Sequence, residues 1–217
     1  MLKHSYHARL SLWHLVLVVI ILAVTLPAIA RPDDPPRQIL ERTSARMLSA
    51  LQTYRPLLQD DPRYLFILVN ELLAPRVDMD TAARLALGRH WRTATPEQRR
   101  RFTSEFRTLL VRYYSLTLLE HVDLQKFPAD VIEFLPARRA ASRYPVRSRI
   151  HIPHHQPIEV DYAVHRVAGE WKIYDIRIDG VSLVSSYRAV FSGEIHRHGL
   201  DGLLNRLAEQ NRRLLAV

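Results

Sequence analysis

Val146-Arg147-Ser148-Arg149-Ile150-His151-Ile152 alternates apolar or small residues with charged ones, and Ile158-Glu159-Val160-Asp161-Tyr162-Ala163-Val164-His165 repeats the pattern. A period of two sends each set to one face of a β-strand. Trp171 to Ile178 follows across a short Ala168-Gly169 connection, which reads as a hairpin. Gln125 to Glu133 reads as a further strand upstream. The second half of the chain therefore contributes an antiparallel sheet of about four strands, with one apolar face to cover.

The cover comes from the flanking segments, where the period is helical. Arg37 to Leu58 spaces Leu40, Met47, Leu51, Tyr54 and Leu58 along one face, after a Pro35-Pro36 start. Asp61-Pro62 opens a helix over Arg63 to Ala74, and Asp80 caps another that stops at Gly88. Thr95-Pro96-Glu97-Gln98 is the sharpest local signal, a capping box with proline in the first turn. The helix it opens runs to about Glu120, with Phe102, Phe106, Leu109, Leu110, Tyr113 and Leu116 as its apolar stripe. After Asp179-Gly180, Leu183 to Phe191 and Leu200 to Leu214 are again amphipathic. Helices, a meander, then helices describe one α+β domain with helices packed on a sheet face.

The first thirty residues are set apart. Met1 to His14 carries Lys3 and Arg9 with no acid, Leu15 to Leu26 is apolar except for Thr25, and Pro27-Ala28-Ile29-Ala30 ends in Ala-x-Ala. That layout is a secretory signal peptide, 1–30, cleaved after Ala30. A spanning helix needs about 20 apolar residues, and this run is shorter and meets Pro27. Cleavage leaves a domain of residues 31–217. The chain has no cysteine, so neither a lipid-modified N-terminus nor a disulfide can form, and stability rests on an apolar core. At 47% hydrophobic residues the composition permits one. The formal net charge is +9. Behind a signal peptide, the acidic partners are phospholipid head groups, membrane surfaces or acidic protein faces, not nucleic acid.

Motifs for chemistry are missing. There is no G-x-S-x-G elbow, H-E-x-x-H pair, P-loop or dinucleotide glycine fingerprint. His154-His155 and His196/His198 are neighbouring pairs in polar segments, and no metal or cofactor is expected from them. Asp175 and Asp179 leave two readings open. One is a lone carboxylate base in a cavity, in a cone-shaped α+β enzyme; the other is capping of turns and of the following helix. An envelope adaptor with a filled core is a further alternative.

At Leu87-Gly88-Arg89-His90-Trp91-Arg92-Thr93-Ala94-Thr95-Pro96-Glu97-Gln98, then Phe102 and Phe106, the chain resembles the MlaC family of toluene-tolerance proteins. The likeness returns at Trp171-Lys172-Ile173-Tyr174-Asp175-Ile176, at Asp179-Gly180-Val181-Ser182-Leu183-Val184, at Tyr187-Arg188 and Phe191, and at Gly199-Leu200-Asp201-Gly202-Leu203. The tract from Leu124 to His155 is the least similar. Ser186 and Val190 stand where the family usually has asparagine and glutamine, so polar contacts of those side chains are not carried over.

The resemblance implies a curved sheet and covering helices around an apolar cavity that takes phospholipid tails. It implies a non-enzymatic periplasmic carrier that maintains outer-membrane lipid asymmetry. Its partners would be an inner-membrane ABC transporter with a lipid-binding substrate-import domain and an outer-membrane lipoprotein–porin complex. The lining expected on that basis is Trp91, Phe106, Tyr113, Val146, Ile150, Tyr174, Val181, Val184, Tyr187 and Phe191. Arg188 is either a head-group or partner contact at the cavity mouth, or half of a structural pair with Asp175 or Asp179.

Overall fold

The computed structural model describes residues 36–61, 63–121, 131–136, 143, 145–151 and 156–213, with the side chains of 59 and 116–121 left outside. The expected signal peptide, residues 125–130 of the expected upstream strand, Leu116, Ile152 and the His154-His155 pair lie outside these described residues.

Helix α1 (Pro36–Thr53) buries Ile39, Leu40, Met47 and Leu51. It stops short of the expected Leu58 because Pro56 lacks the N–H that a continuing helix would use. The chain turns at Tyr54 (φ −95°, ψ 12°), and Pro56 sits instead in the first turn of α2 (Arg55–Asp60). Asp61 accepts from the Arg63 backbone N–H at 3.0 Å, but it closes α2, and the cap of the next helix falls on Arg63 and not on Asp61 as expected. The helix after it is composite: α3 (Tyr64–Leu68) widens into a π-helical turn over Val69–Leu73 and tightens into a 3-10 turn over Ala74–Arg76.

Val77 then bridges to Ile173 in parallel, and the Asp78 N–H donates to the Ile173 carbonyl at 2.8 Å. This long-range tie moves the next cap. Asp78, not Asp80, accepts from the Thr81 N–H at 3.0 Å and starts α4 (Met79–Leu87), which ends at Gly88 as expected. A short α5 (His90–Thr93) leads to the capping box. Thr95 Oγ1 accepts from the Gln98 N–H at 3.1 Å and Gln98 Oε1 accepts from the Thr95 N–H at 3.0 Å, opening α6 (Pro96–His121).

The sheet has five strands in sequence order, all antiparallel: β1 (Ile132–Phe134), β2 (Val146–Ile150), β3 (Ile158–Val167), β4 (Glu170–Ile178) and β5 (Val181–Ser182). The strand beyond the expected four is the two-residue β5. Ala168 and Gly169 (φ 50° and 85°) and Asp179 and Gly180 (φ 46° and 84°) form two-residue turns with positive φ throughout. Their twist matches that of the flanking strands. A register shift between Ala163 and Val164 bends the long β3–β4 ladder. Helix α7 (Leu183–Arg213) joins the two expected C-terminal helices. Gly199, at φ 70° and ψ 172°, breaks it into segments 183–198 and 200–213.

Three separate apolar clusters hold these elements. The largest packs Phe102, Phe106 and Leu109 of α6 against Leu87 of α4 and Val184, Phe191 and Leu204 of α7. The fully buried Phe102 and Phe106 each contribute about 1.5–3 kcal/mol by leaving water. A second joins Met47, Leu51, Leu58 and Leu65 of α1 to α3. The third is the apolar sheet face, where Val146, Tyr162, Val164, Ile173 and Ile176 meet Leu40 of α1. On the alternate positions charges pair across strands: Arg149 with Glu159 at 3.5 Å, Arg147 with Asp161 at 3.3 Å and Arg177 with Asp161 at 3.6 Å.

Candidate functional site

The residues expected to line a cavity divide between these clusters. Trp91, Phe106, Val184, Tyr187 and Phe191 come together on the helical side. Phe106 is edge-on to Tyr187 at 5.1 Å and to Phe191 at 5.5 Å, while Tyr187 and Phe191 stack at 5.3 Å. Trp91 packs on the same cluster under the Arg99 guanidinium, 5.5 Å from its ring centre. Val146 sits on the sheet side with the third cluster. Ile150 is half-buried, paired with Ile132 and Ile158 at the end of β2.

The remaining three expected residues stand apart. Tyr174 lies 4.8 Å from His165, whose Nε2 is 2.8 Å from an Asp78 carboxylate oxygen. It therefore belongs with the start of α4. Tyr113 is 48% exposed and packs edge-on to Tyr114 at 5.3 Å. Val181 is 63% exposed because it follows the Asp179-Gly180 turn directly.

Several residues absent from the expected lining face the sheet cluster. Phe134, Tyr162, Val164 and Ile176 are half-buried against it, and Phe134 stacks on Tyr162 at 6.4 Å. Their alternation was readable in the sequence; their convergence with Leu40 of α1 was not. Tyr162 brings a hydroxyl to this apolar face, where it is 3.1 Å from Ser148 Oγ. Burial raises the Tyr162 phenol above its ordinary pKa, with the Ser148 bond opposing. Tyr187 is raised as well, by burial first and then by its hydrogen-bonded neighbour Tyr114. Both phenols stay neutral at any physiological pH, so these walls are uncharged.

The polar candidates have structural partners. Asp175 is buried; its Oδ1 accepts from the Val184 N–H at 3.1 Å and its Oδ2 from Ser182 Oγ at 2.7 Å. Ser182 Oγ in turn accepts from the Ser185 N–H at 3.1 Å, so the pair caps α7. Arg143 lies 3.5 Å from Asp175. Asp179 accepts from the Glu159 N–H at 2.9 Å, which ties its turn to the start of β3. Asp175 thus takes the capping position of the second reading, while Asp179 is held by β3 and caps no helix. Arg188 takes neither as its partner; its Nε donates to the Leu85 carbonyl at 2.6 Å at the end of α4, and the side chain crosses Gly88.

A separate cleft of about 500 Å³ opens between the start of α4, α6 and the end of the β3–β4 hairpin. Val77, Met79, Arg100, Arg107 and Lys172 are among its walls, and none of the expected lining residues is. Among the described residues no group of His, Asp and Glu is arranged to hold a metal ion, and no helix is long and apolar enough to cross a membrane.

Residues 41–209 match the family model described as MlaC protein. The chain belongs to the MlaC family. Among MlaC relatives it is similar to the toluene tolerance protein ttg2D of Pseudomonas putida, 24% identical over 84% of this chain and 83% of that one. It is also similar to the intermembrane phospholipid transport system binding protein MlaC of Haemophilus influenzae, 23% identical over 93% and 94% of the two chains. A solved structure, the phospholipid-binding protein of Ralstonia solanacearum in complex with a phospholipid, superimposes with a TM-score of 0.71 at 28% identity. It covers 84% of this chain and 99% of that one.

Proposed function

We propose that the chain is a phospholipid-binding component of lipid transport, working as a soluble carrier between the two membranes of the bacterial envelope. The observation that carries this reading is its likeness, over nearly the whole partner chain, to a protein solved with a phospholipid bound. The divided core supports it. A domain usually has one contiguous core, whereas here the aromatic helical cluster and the apolar sheet face are distinct. Acyl chains between them would be walled by Phe106, Val184, Tyr187 and Phe191 on one side and by Val146, Ile150, Tyr162 and Ile176 on the other. Trp91 closes the helical end.

The physical need is large. Exposing two acyl chains of about 15 methylenes each to water costs roughly 24 kcal/mol, at about 0.8 per CH₂. A cavity that replaces water around the chains removes most of that barrier without any bond being made or broken. Neutral walls give a non-directional attraction, so tails are accepted with little selectivity. Arg188, exposed beside the helical wall, contacts the head group or a partner, and Tyr113 extends that wall through Tyr114 toward the surface.

The carrier reading includes export: residues 1–30 direct secretion and are removed after Ala30, and residues 31–217 work in the periplasm. Its docking partners are an inner-membrane ABC transporter with a lipid-binding substrate-import domain and an outer-membrane lipoprotein–porin complex. The test is native mass spectrometry of the exported protein, with lipid extraction of the same sample. A mass increment of one diacyl phospholipid per chain is expected. A clean apo mass, with no uptake from liposomes on incubation, would overturn the reading.

A further inference from the structure

Residues 89–101 and 192–206 hold seven arginines against three carboxylates, in a chain of formal net charge +9. The fold brings the two stretches side by side. His90 Nε2 lies 3.4 Å from Ser192 Oγ, Gln98 donates to Asp201 Oδ1 at 2.9 Å, and Arg101 donates to Asn205 Oδ1 at 2.8 Å. At the Gly199 break, Arg206 turns back to Glu194 at 2.9 Å and to His198 at 2.8 Å. Arg89, Arg92, Arg100, Arg101, Arg197 and Arg206 are all exposed. Glu194 is shared by Arg197 and Arg206, and Glu97 pairs with Arg100. Over the two stretches four positive charges remain after all three carboxylates are counted, before any histidine is protonated. Arg100 lies at the border of the face, in the wall of the cleft beside Asp78 and Asp80.

We propose that this face, built from α5, the start of α6 and the corner of α7, docks on an anionic lipid surface. Clustered arginines near such a surface are drawn by its negative potential, each worth roughly fivefold in affinity, and the attraction weakens with salt. Among the candidate occupants, a lipid surface fits better than an acidic protein. Specific protein interfaces have an apolar centre inside a polar rim. Neither stretch carries an exposed large apolar side chain, the nearest in sequence being Val190 on α7. A diffuse sheet of head groups demands no such complementarity. The inference goes beyond the carrier reading, since it concerns the surface the protein rests on and not its cargo; either can fail alone.

The chain, expressed with its own leader and purified as processed by the host, is sedimented with vesicles of pure phosphatidylcholine or of phosphatidylcholine with 30% phosphatidylglycerol, at low and at physiological salt. Binding to the anionic vesicles only, weakened by salt, is expected. Arg92→Glu with Arg101→Glu should lower that affinity more than tenfold. The same charge change on α1 and α2, Arg46→Glu with Arg55→Glu, should cost less than threefold. If the glutamate pair does not fold, R92Q with R101Q carries the same comparison at a smaller expected loss. No binding at low salt, or equal losses from both double variants, overturns the proposal; the first result would leave an acidic protein face as the occupant.

Discussion

Gly88 holds φ +55° and ψ −123° where α4 gives way to α5, a backbone combination that a residue with a Cβ adopts only under strain. A Cβ there would also stand 3.2 Å from Arg188 Cδ, which must shift and loosen its bond to the Leu85 carbonyl. Gly88→Ala is therefore expected to cost about 1–3 kcal/mol, read as a lower midpoint in urea. Asp78 gives a second test. Its burial disfavours the charge, but bonds from Thr81 and His165 outweigh this and hold the carboxyl below its ordinary value. A lowered carboxylate stabilises the fold above the unfolded pKa of about 3.9, and that stability is lost as pH falls through the lower folded value. Asp78→Asn keeps an N-cap acceptor but loses the charge, so it should be less stable than the parent at pH 7 by about 1 kcal/mol. The gap should close below about pH 4 in parallel urea titrations; a gap independent of pH would remove the charge from the account. Such roles were only partly legible. The cap at Asp78 looks no better in sequence than one at Asp80, and the bridge from Val77 to Ile173 decides between them.

At the scale of elements, the signals that survived folding are those complete within a few residues. Thr95 and Gln98 satisfy each other's N–H groups across three positions, so the start of α6 could be read without knowing anything else. Thr95→Ala should destabilise by about 1 kcal/mol. The start of α7 is different, because its cap is borrowed from β4. Asp175 reaches Val184 N–H and Ser182, with Arg143 beside it. Asp175→Ala leaves the Val184 N–H and the Ser182 hydroxyl without their acceptor, and a loss of about 1–3 kcal/mol is expected. Asp175→Asn should lose clearly less in thermal melts, and bound lipid should be retained in that variant. Loss of lipid uptake in a fully folded D175N protein would contradict the capping role. Strand β5 escaped sequence reading because two residues carry no period. The break of the first helix at Tyr54 was foreseeable from Pro56; the π-helical turn over Val69–Leu73 has no local signature that we can identify.

For the whole molecule, the α+β layout followed from the change of period after residue 127, and the family blocks supplied what periodicity could not. Five of the ten expected lining residues converge on the helical cluster, and Val146 on the sheet cluster. Tyr113 and Val181 are exposed: one near the end of α6 beside Tyr114, the other beside a turn. Helical or strand spacing reports a face but not where the neighbouring element stops. A ligand bridging the clusters adds stability that depends on its occupancy, so delipidated protein should melt lower than the protein as isolated, with the difference restored by incubation with phospholipid vesicles. The three clusters also have a kinetic meaning. With the apolar residues divided among three clusters in the described part of the chain, local opening need not be global. Amide hydrogens of α6 and α7 should exchange with deuterium last, those of α1 to α3 first. Lipid should slow the early set most, making the protection of α1 a gauge of cargo.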